Sequence, residues 1–273
     1  MRKGIIAIFL FTGLFSLAFS RSQAETIKFL IEDSPYYVRQ DLVIKEEQTF
    51  TVEPGVVIEM AKGAGIIIEG RIDISGYPRG GEVIFKAVGP PQNYHKGFWR
   101  GIIIKSKEKN AIQYAVIQHS KIGIELAKGS CVNLNNNIIT QNKTGIRAEG
   151  VKEFSIVRNS FLGNFIDIEI IDSAGSVEKN YFEGSLTCLR LKQGYPRIQR
   201  NFFKQAYKNI IESYNESELQ AGENWWGSAD EELIKNRISQ RGKGKFIFKP
   251  YLLEPPDLKE VGVDLKNSCT SCR

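Results

Sequence analysis

Apolar positions in the C-terminal half of the chain fall into short alternations broken by polar residues at fixed intervals. The segments LNNNIITQNKTGIRA (134–148), IVRNSFLGNFIDIEI (156–170), VEKNYFEGSLTCLRL (177–191) and IQRNFFKQAYKNIIE (198–212) each open apolar-x-x-Asn-x-apolar. The alternation resumes about nine residues after the asparagine. Asn137, Asn159, Asn180 and Asn201 lie 22, 21 and 21 residues apart, and the frame reaches back to Ala115 and forward to Asn224. Period-two alternation predicts strands. A fixed period near 21 with no room for a helix predicts a β-solenoid in which each repeat is one coil.

The columns of this alignment carry physical meaning. Two places after each anchor stand Ile117, Ile139, Phe161, Phe182, Phe203 and Trp226, an apolar column expected to point inward. One place after stand Val116, Ile138, Ser160, Tyr181, Phe202 and Trp225. The paired tryptophans of GENWWG (222–227) therefore extend existing columns, with Trp226 inside and Trp225 covering the open end or facing solvent. Asparagine suits the anchor because it tolerates the left-handed conformation and can bond its equivalent one coil away. A second, mostly polar column, five places on, reads Ser120, Asn142, Asn164, Ser185, Ala206. Two glycosylation-type sequons, NKT (142–144) and NES (215–217), occur, and the first is read as a turn. Ten places after the anchor, Glu125, Arg147, Glu169 and Arg190 alternate in sign, as ion pairs running up an outer face would.

The period continues upstream through Gly123 to Gly101, but the previous match, Gly65, lies 36 residues back, 14 more than the 22 between Gly101 and Gly123. The surplus is assigned to GPPQNYHKG (89–97) and its neighbours, a loop on a rigid scaffold. After Gly227 the period stops. SADEELIKNRISQRG predicts a capping helix over about 228–241, with a Ser228/Glu231 capping box and Leu233, Ile234 and Ile238 as its apolar face. KFIFKPYLL (245–253) suits a last strand, and residues 254–273 read as a flexible, charged tail with a CxxC.

Taken together, the coil period, the run FTVEPGVVIEM…GAGIIIEGRIDISG…EVIFKAV…WRGIIIK and the closing NWWG resemble the right-handed parallel β-helix repeat proteins, the pectin-lyase-like group, over about residues 41–253. The resemblance implies an all-β, right-handed parallel β-helix. It leaves activity open, since the group holds lyases, glycosidases, esterases, adhesins and a copper-maturation factor, and fold does not choose among them.

Composition then narrows the picture. Arg2 and Lys3, an apolar run from Gly4 to Phe19 and the small-x-small triplet Ser22-Gln23-Ala24 read as a secretory signal over 1–24. Its removal leaves one domain over 25–253 plus the tail, exported to the periplasm or beyond, with no later membrane span. The formal charge of +6 then falls to +3, from 34 basic and 31 acidic residues. That suits an anionic glycan or lipid surface and is far too weak for nucleic acid.

Enzymes of the resembled group place acids on adjacent coils for calcium or for acid–base work. No such column stands here, so no catalytic residue, metal or cofactor is assigned. Asp167 has Gly145 and Cys188 as column neighbours, Glu169 lies between Arg147 and Arg190, and Asp73 is isolated. Arg158, Lys179 and Arg200 form a column of three cations just before the anchors. Such a column suits an anionic ligand, or else a solvated face neutralised by Glu178 and Glu183. The long loop offers Tyr94, His95 and Trp99 for stacking on sugar, with Trp99 also suited to packing beneath the loop. Cys269 and Cys272 have haem-attachment spacing, but Arg273 stands where the histidine would be, and a local disulfide is the expectation. Cys131 and Cys188 are expected as separate thiols. The sequence thus points to an exported, monomeric, non-enzymatic β-helix protein that binds carbohydrate or another anionic envelope component. The alternative is a carbohydrate-active enzyme, a polysaccharide lyase or glycoside hydrolase.

Overall fold

The computed structural model describes residues 25–89 and 95–262. The signal segment 1–24, Tyr94, Cys269 and Cys272 lie outside the described residues. The chain winds as a parallel β-solenoid of about eight coils. One face is an eight-stranded sheet that takes one strand from each coil, from Glu25–Phe29 through Lys109–Gln113 and Cys131–Asn135 to Arg197–Gln199. The remaining strands of each coil form a second, fifteen-stranded sheet that wraps the other side. One coil is Cys131–Asn135, Ile138–Thr140 and Thr144–Glu149.

The predicted register holds. Ile117 pairs with Ile139, Ile139 with Phe161, Phe161 with Phe182, and Phe182 with Phe203. All are fully buried, as is Trp226. Rings stack along the axis at 4.9 Å (Phe161–Phe182), 4.7 Å (Phe182–Phe203) and 4.8 Å (Phe203–Trp226). Gly65 faces Gly101 across the irregular coil. Its surplus is split between two places. Ser75 to Val83 replaces the short step from Gln113 to Ala115, so a second bulge accompanies the segment that ends at Trp99.

The anchor asparagines build a continuous ladder inside the wall. The Oδ1 of Asn159 accepts from the backbone N–H and the Nδ2 of Asn137, at 2.9 and 3.0 Å. Asn180, Asn201 and Asn224 repeat this in turn. Each Nδ2 also donates to a carbonyl one coil back, such as Asn180 to Ile156 O at 2.8 Å. The left-handed residue is not the asparagine, however. It is the one before it: Tyr114, Asn136, Arg158, Lys179, Arg200 and Glu223 all have φ between 51° and 58°. The asparagine locks the turn, and its neighbour makes it. Both sequon asparagines, Asn142 and Asn215, are buried turn residues.

At the C-terminal end the helix is shorter than predicted. It spans Glu231–Asn236, and its cap is Asp230, whose side chain accepts from Glu232 N and Leu233 N. Ile238 belongs to a strand, Ile238–Gln240, that adds to the sheet opposite Ile211. Phe246–Ile247 forms the expected late strand, against Leu219–Gln220, and Phe246 closes the core edge-on to Trp226 at 6.0 Å.

Candidate functional site

The turn geometry determines where the basic column points. A left-handed residue with a Cβ costs about 1–3 kcal/mol, so six in succession need firm support from their surroundings. The ladder supplies it, and it holds Arg158, Lys179 and Arg200 at one corner of three successive coils. Arg158 and Arg200 are exposed and Lys179 is half-buried. Neither neutralising partner expected from the sequence serves them. Glu178 pairs with Arg197, and Glu183 pairs with Lys204 and accepts from Tyr181 Oη. Arg200 pairs with Glu223 at 3.0 Å. Among the described residues, Arg158 and Lys179 have no ion-pair partner.

The three cations line a groove of about 640 Å³ together with Glu223. Leu252, Glu254, Pro256, Glu260 and Val261, from the segment after the last strand, complete its lining. The expectation of a free tail from residue 254 is therefore corrected: residues 254–262 lie back across the outside of the solenoid. Val261 is buried against Tyr181 and Phe202, with Leu162 and Trp225 packed around them. Gly262 donates its N–H to Lys179 O at 2.9 Å. Trp225 thus sits under this segment while Trp226 continues the core. Sequence reasoning missed the contact, although it left a signal. The outward column turns aromatic at Tyr181, Phe202 and Trp225, where an uncovered face should be polar.

The long loop divides its candidates. Trp99 is 1% exposed, and its Nε1 donates to Gln118 O at 2.8 Å, so it belongs to the core and is no ligand platform. His95 is exposed, with its ring edge-on to Phe98 at 5.4 Å. Beside it, Lys96 Nζ lies 4.4 Å from the Phe165 ring centre. Phe165, Leu186 and Tyr207 are exposed on successive coils, an apolar strip that the sequence reading also passed over.

The acids take individual positions. Asp73 pairs with Arg71 at 2.7 Å. Glu169 lies among Arg147, Arg190 and Lys192, at 3.7, 3.9 and 2.8 Å, and Arg190 continues to Glu212 at 2.7 Å. The alternating column is thus a chain of ion pairs from Arg147 to Glu212. Asp167 is fully buried, and its Oδ1 accepts from Asn164 Nδ2 at 2.8 Å and Ser185 Oγ at 2.6 Å. Burial pushes its carboxyl up to about 7, partly offset by those bonds. The adjacent Cys188 thiol is pushed well up by burial and by Asp167. Cys188 and Cys131 are free thiols, buried and half-buried. Among the described residues no group of three or more His, Cys, Asp or Glu is placed to hold a metal, and no helix is long and apolar enough to cross a membrane.

Neither the curated proteins nor the solved structures contain a match to this chain. Residues 95–244, more than half of its length, match the family model described as the right handed beta helix region, in keeping with the ladder and the coil register. The chain belongs to that family of parallel β-helix proteins.

Proposed function

We propose that this protein is an exported, monomeric, non-enzymatic binder of an anionic envelope polymer, in the first place an acidic glycan, gripped along Arg158, Lys179 and Arg200. The observation that carries the reading is the column itself. Three cations on successive coils open into one groove, and two of them lack an ion-pair partner among the described residues. Stacked strands repeat about every 4.8 Å, so like charges on this column oppose one another unless an anion lies between them. A polymer with one carboxylate per sugar offers a series of anions, and each cation adds a charge-assisted contact. Leu252 and Pro256 give the groove an apolar wall for the sugar faces.

The test is binding of polygalacturonate to the full chain at low ionic strength. Lys179→Glu is expected to weaken binding at least severalfold while leaving the melting temperature nearly unchanged, because half-buried Lys179 has no ion-pair partner among the described residues to lose and charges in contact with solvent contribute little to stability. Added salt should weaken wild-type binding too, since exposed charges are screened over about 8–10 Å at physiological ionic strength. The rival site at the long loop gives another pattern: Tyr94→Ala would abolish binding, with little dependence on salt. Retention of neither polygalacturonate nor anionic lipid vesicles by the wild type would sink the reading.

A further inference from the structure

The geometry points to a resident occupant of the basic groove: the acidic segment Glu254–Gly262 of the chain itself, a strap that an external polyanion must displace. The inference rests on the proposed reading of the groove as a polyanion site and adds its regulation. Two features define the strap. The first is charge facing charge across one groove, with no ion pair formed by Glu254 or Glu260 among the described residues. Glu254 and Glu260 face into the same groove as Arg158 and Lys179, and Glu223 takes Arg200. Three carboxylates thus share the space with three cations, which is the complement that an acidic ligand would bring.

The second feature is a shape-specific anchor. Val261 is 3% exposed, seated on Tyr181 and Phe202. The next residue, Gly262, has φ +66° and donates to Lys179 O. A Cβ at Gly262 would come within 2.7 Å of both Ser160 Oγ and Tyr181 Cβ, so only glycine lets the backbone approach this closely. One buried valine and one hydrogen bond make a light anchor, of a few kcal/mol at most. The anchor therefore suits a contact that opens and recloses. The bond to Lys179 O also ties the strap to the backbone of a cation that the ligand would use, so occupation and release are coupled at one residue.

A strap of this kind lowers apparent affinity in proportion to the fraction of time the groove is open. If it is open about one-tenth of the time, releasing it tightens binding roughly tenfold. Three full-length variants test this with polygalacturonate as probe. Gly262→Val and Val261→Asn should undock the anchor, and the double variant Glu254→Gln with Glu260→Gln should leave it docked but neutral. All three should bind more tightly than wild type. Independently of any ligand, tryptic cleavage after Lys259, followed by mass spectrometry, should be slow in wild type. It should quicken in Lys179→Glu, where the strap meets an added negative charge. Saturating polygalacturonate should quicken it as well. Binding by wild type that is matched, not exceeded, by the three variants overturns the strap and leaves the groove reading standing. Failure of every form to bind overturns the groove reading, and the strap is then judged by Lys179→Glu alone, where unchanged cleavage overturns it too.

Discussion

Inside the wall, single polar side chains are held by bonds to the next coil, and burial there shifts the titration of Asp167 and His119. Asp167 is fully buried, and that burial raises its carboxyl to about 7 against the bonds from Ser185, Asn164 and Cys188. His119 behaves oppositely. Burial first, then the charges of Lys86 and His95, lowers it to about 4. Between about pH 4 and 7 the folded chain keeps a proton on Asp167 that the unfolded chain has lost, so this group makes stability fall as pH rises. Over nearly the same window the unfolded chain protonates His119 while the folded one does not, so this group makes stability rise with pH. The two slopes oppose each other, each worth on the order of a few kcal/mol across the window. Asp167→Asn should therefore give a protein whose denaturation midpoint climbs from pH 4 to 7 more steeply than wild type. His119→Gln should give one whose midpoint declines. Parallel pH profiles for the three proteins would show that neither group titrates as its burial requires.

A coil is the working element, and its stability comes from stacking on its neighbours. Phe182 sits between Phe161 and Phe203 with near-parallel rings, interplanar angles being 6° and 16°. Phe182→Ala should cost about 3–5 kcal/mol, read from chemical denaturation, because a rigid stack cannot close the cavity. A loss under 1 kcal/mol would mean that the coils slide to fill it. The register was legible in the sequence because each coil repeats the same chemistry at the same place, so errors in one row are corrected by the next. Where a feature occurs once, that correction is missing. Ile238 lies four residues after Ile234 and so fits a helical face. Its neighbour in space is Ile211, which no local period reveals, and the sheet takes it. The turn was misplaced by one residue for a related reason. Asparagine is suited to the left-handed conformation, but here its side chain is needed for the ladder, and the strain moves to the residue before it. The basic column was legible as a column. Its covering was not: Val261 meets Tyr181 from 80 residues away, in a segment whose charges read as a flexible tail.

For the whole molecule, an open solenoid must close both ends or offer unpaired strand edges to other chains. At the C-terminal end, Phe246, the short helix and the strand at Ile238 do this. At the other end, Glu25–Phe29 pairs in parallel with Gln48–Val52, and Phe29 stacks on Tyr36 at 3.9 Å. Among the described residues the first strand is Glu25–Phe29, and the expected cleavage site lies after Ala24. Cleavage there would leave the described strand whole: Glu25 faces Gln48, and its side chain accepts from Gln48 Nε2 at 2.8 Å. A cut a few residues later would strip the strand and leave the edge of Gln48–Val52 bare. Protein recovered from its native host is expected to begin at Glu25, as mass spectrometry of the intact chain would report. An N-terminus still at Met1 would mean an anchored protein, with the groove held at a fixed distance from a membrane. An N-terminus beyond Phe29 would mean that the first coil is not needed to close the solenoid.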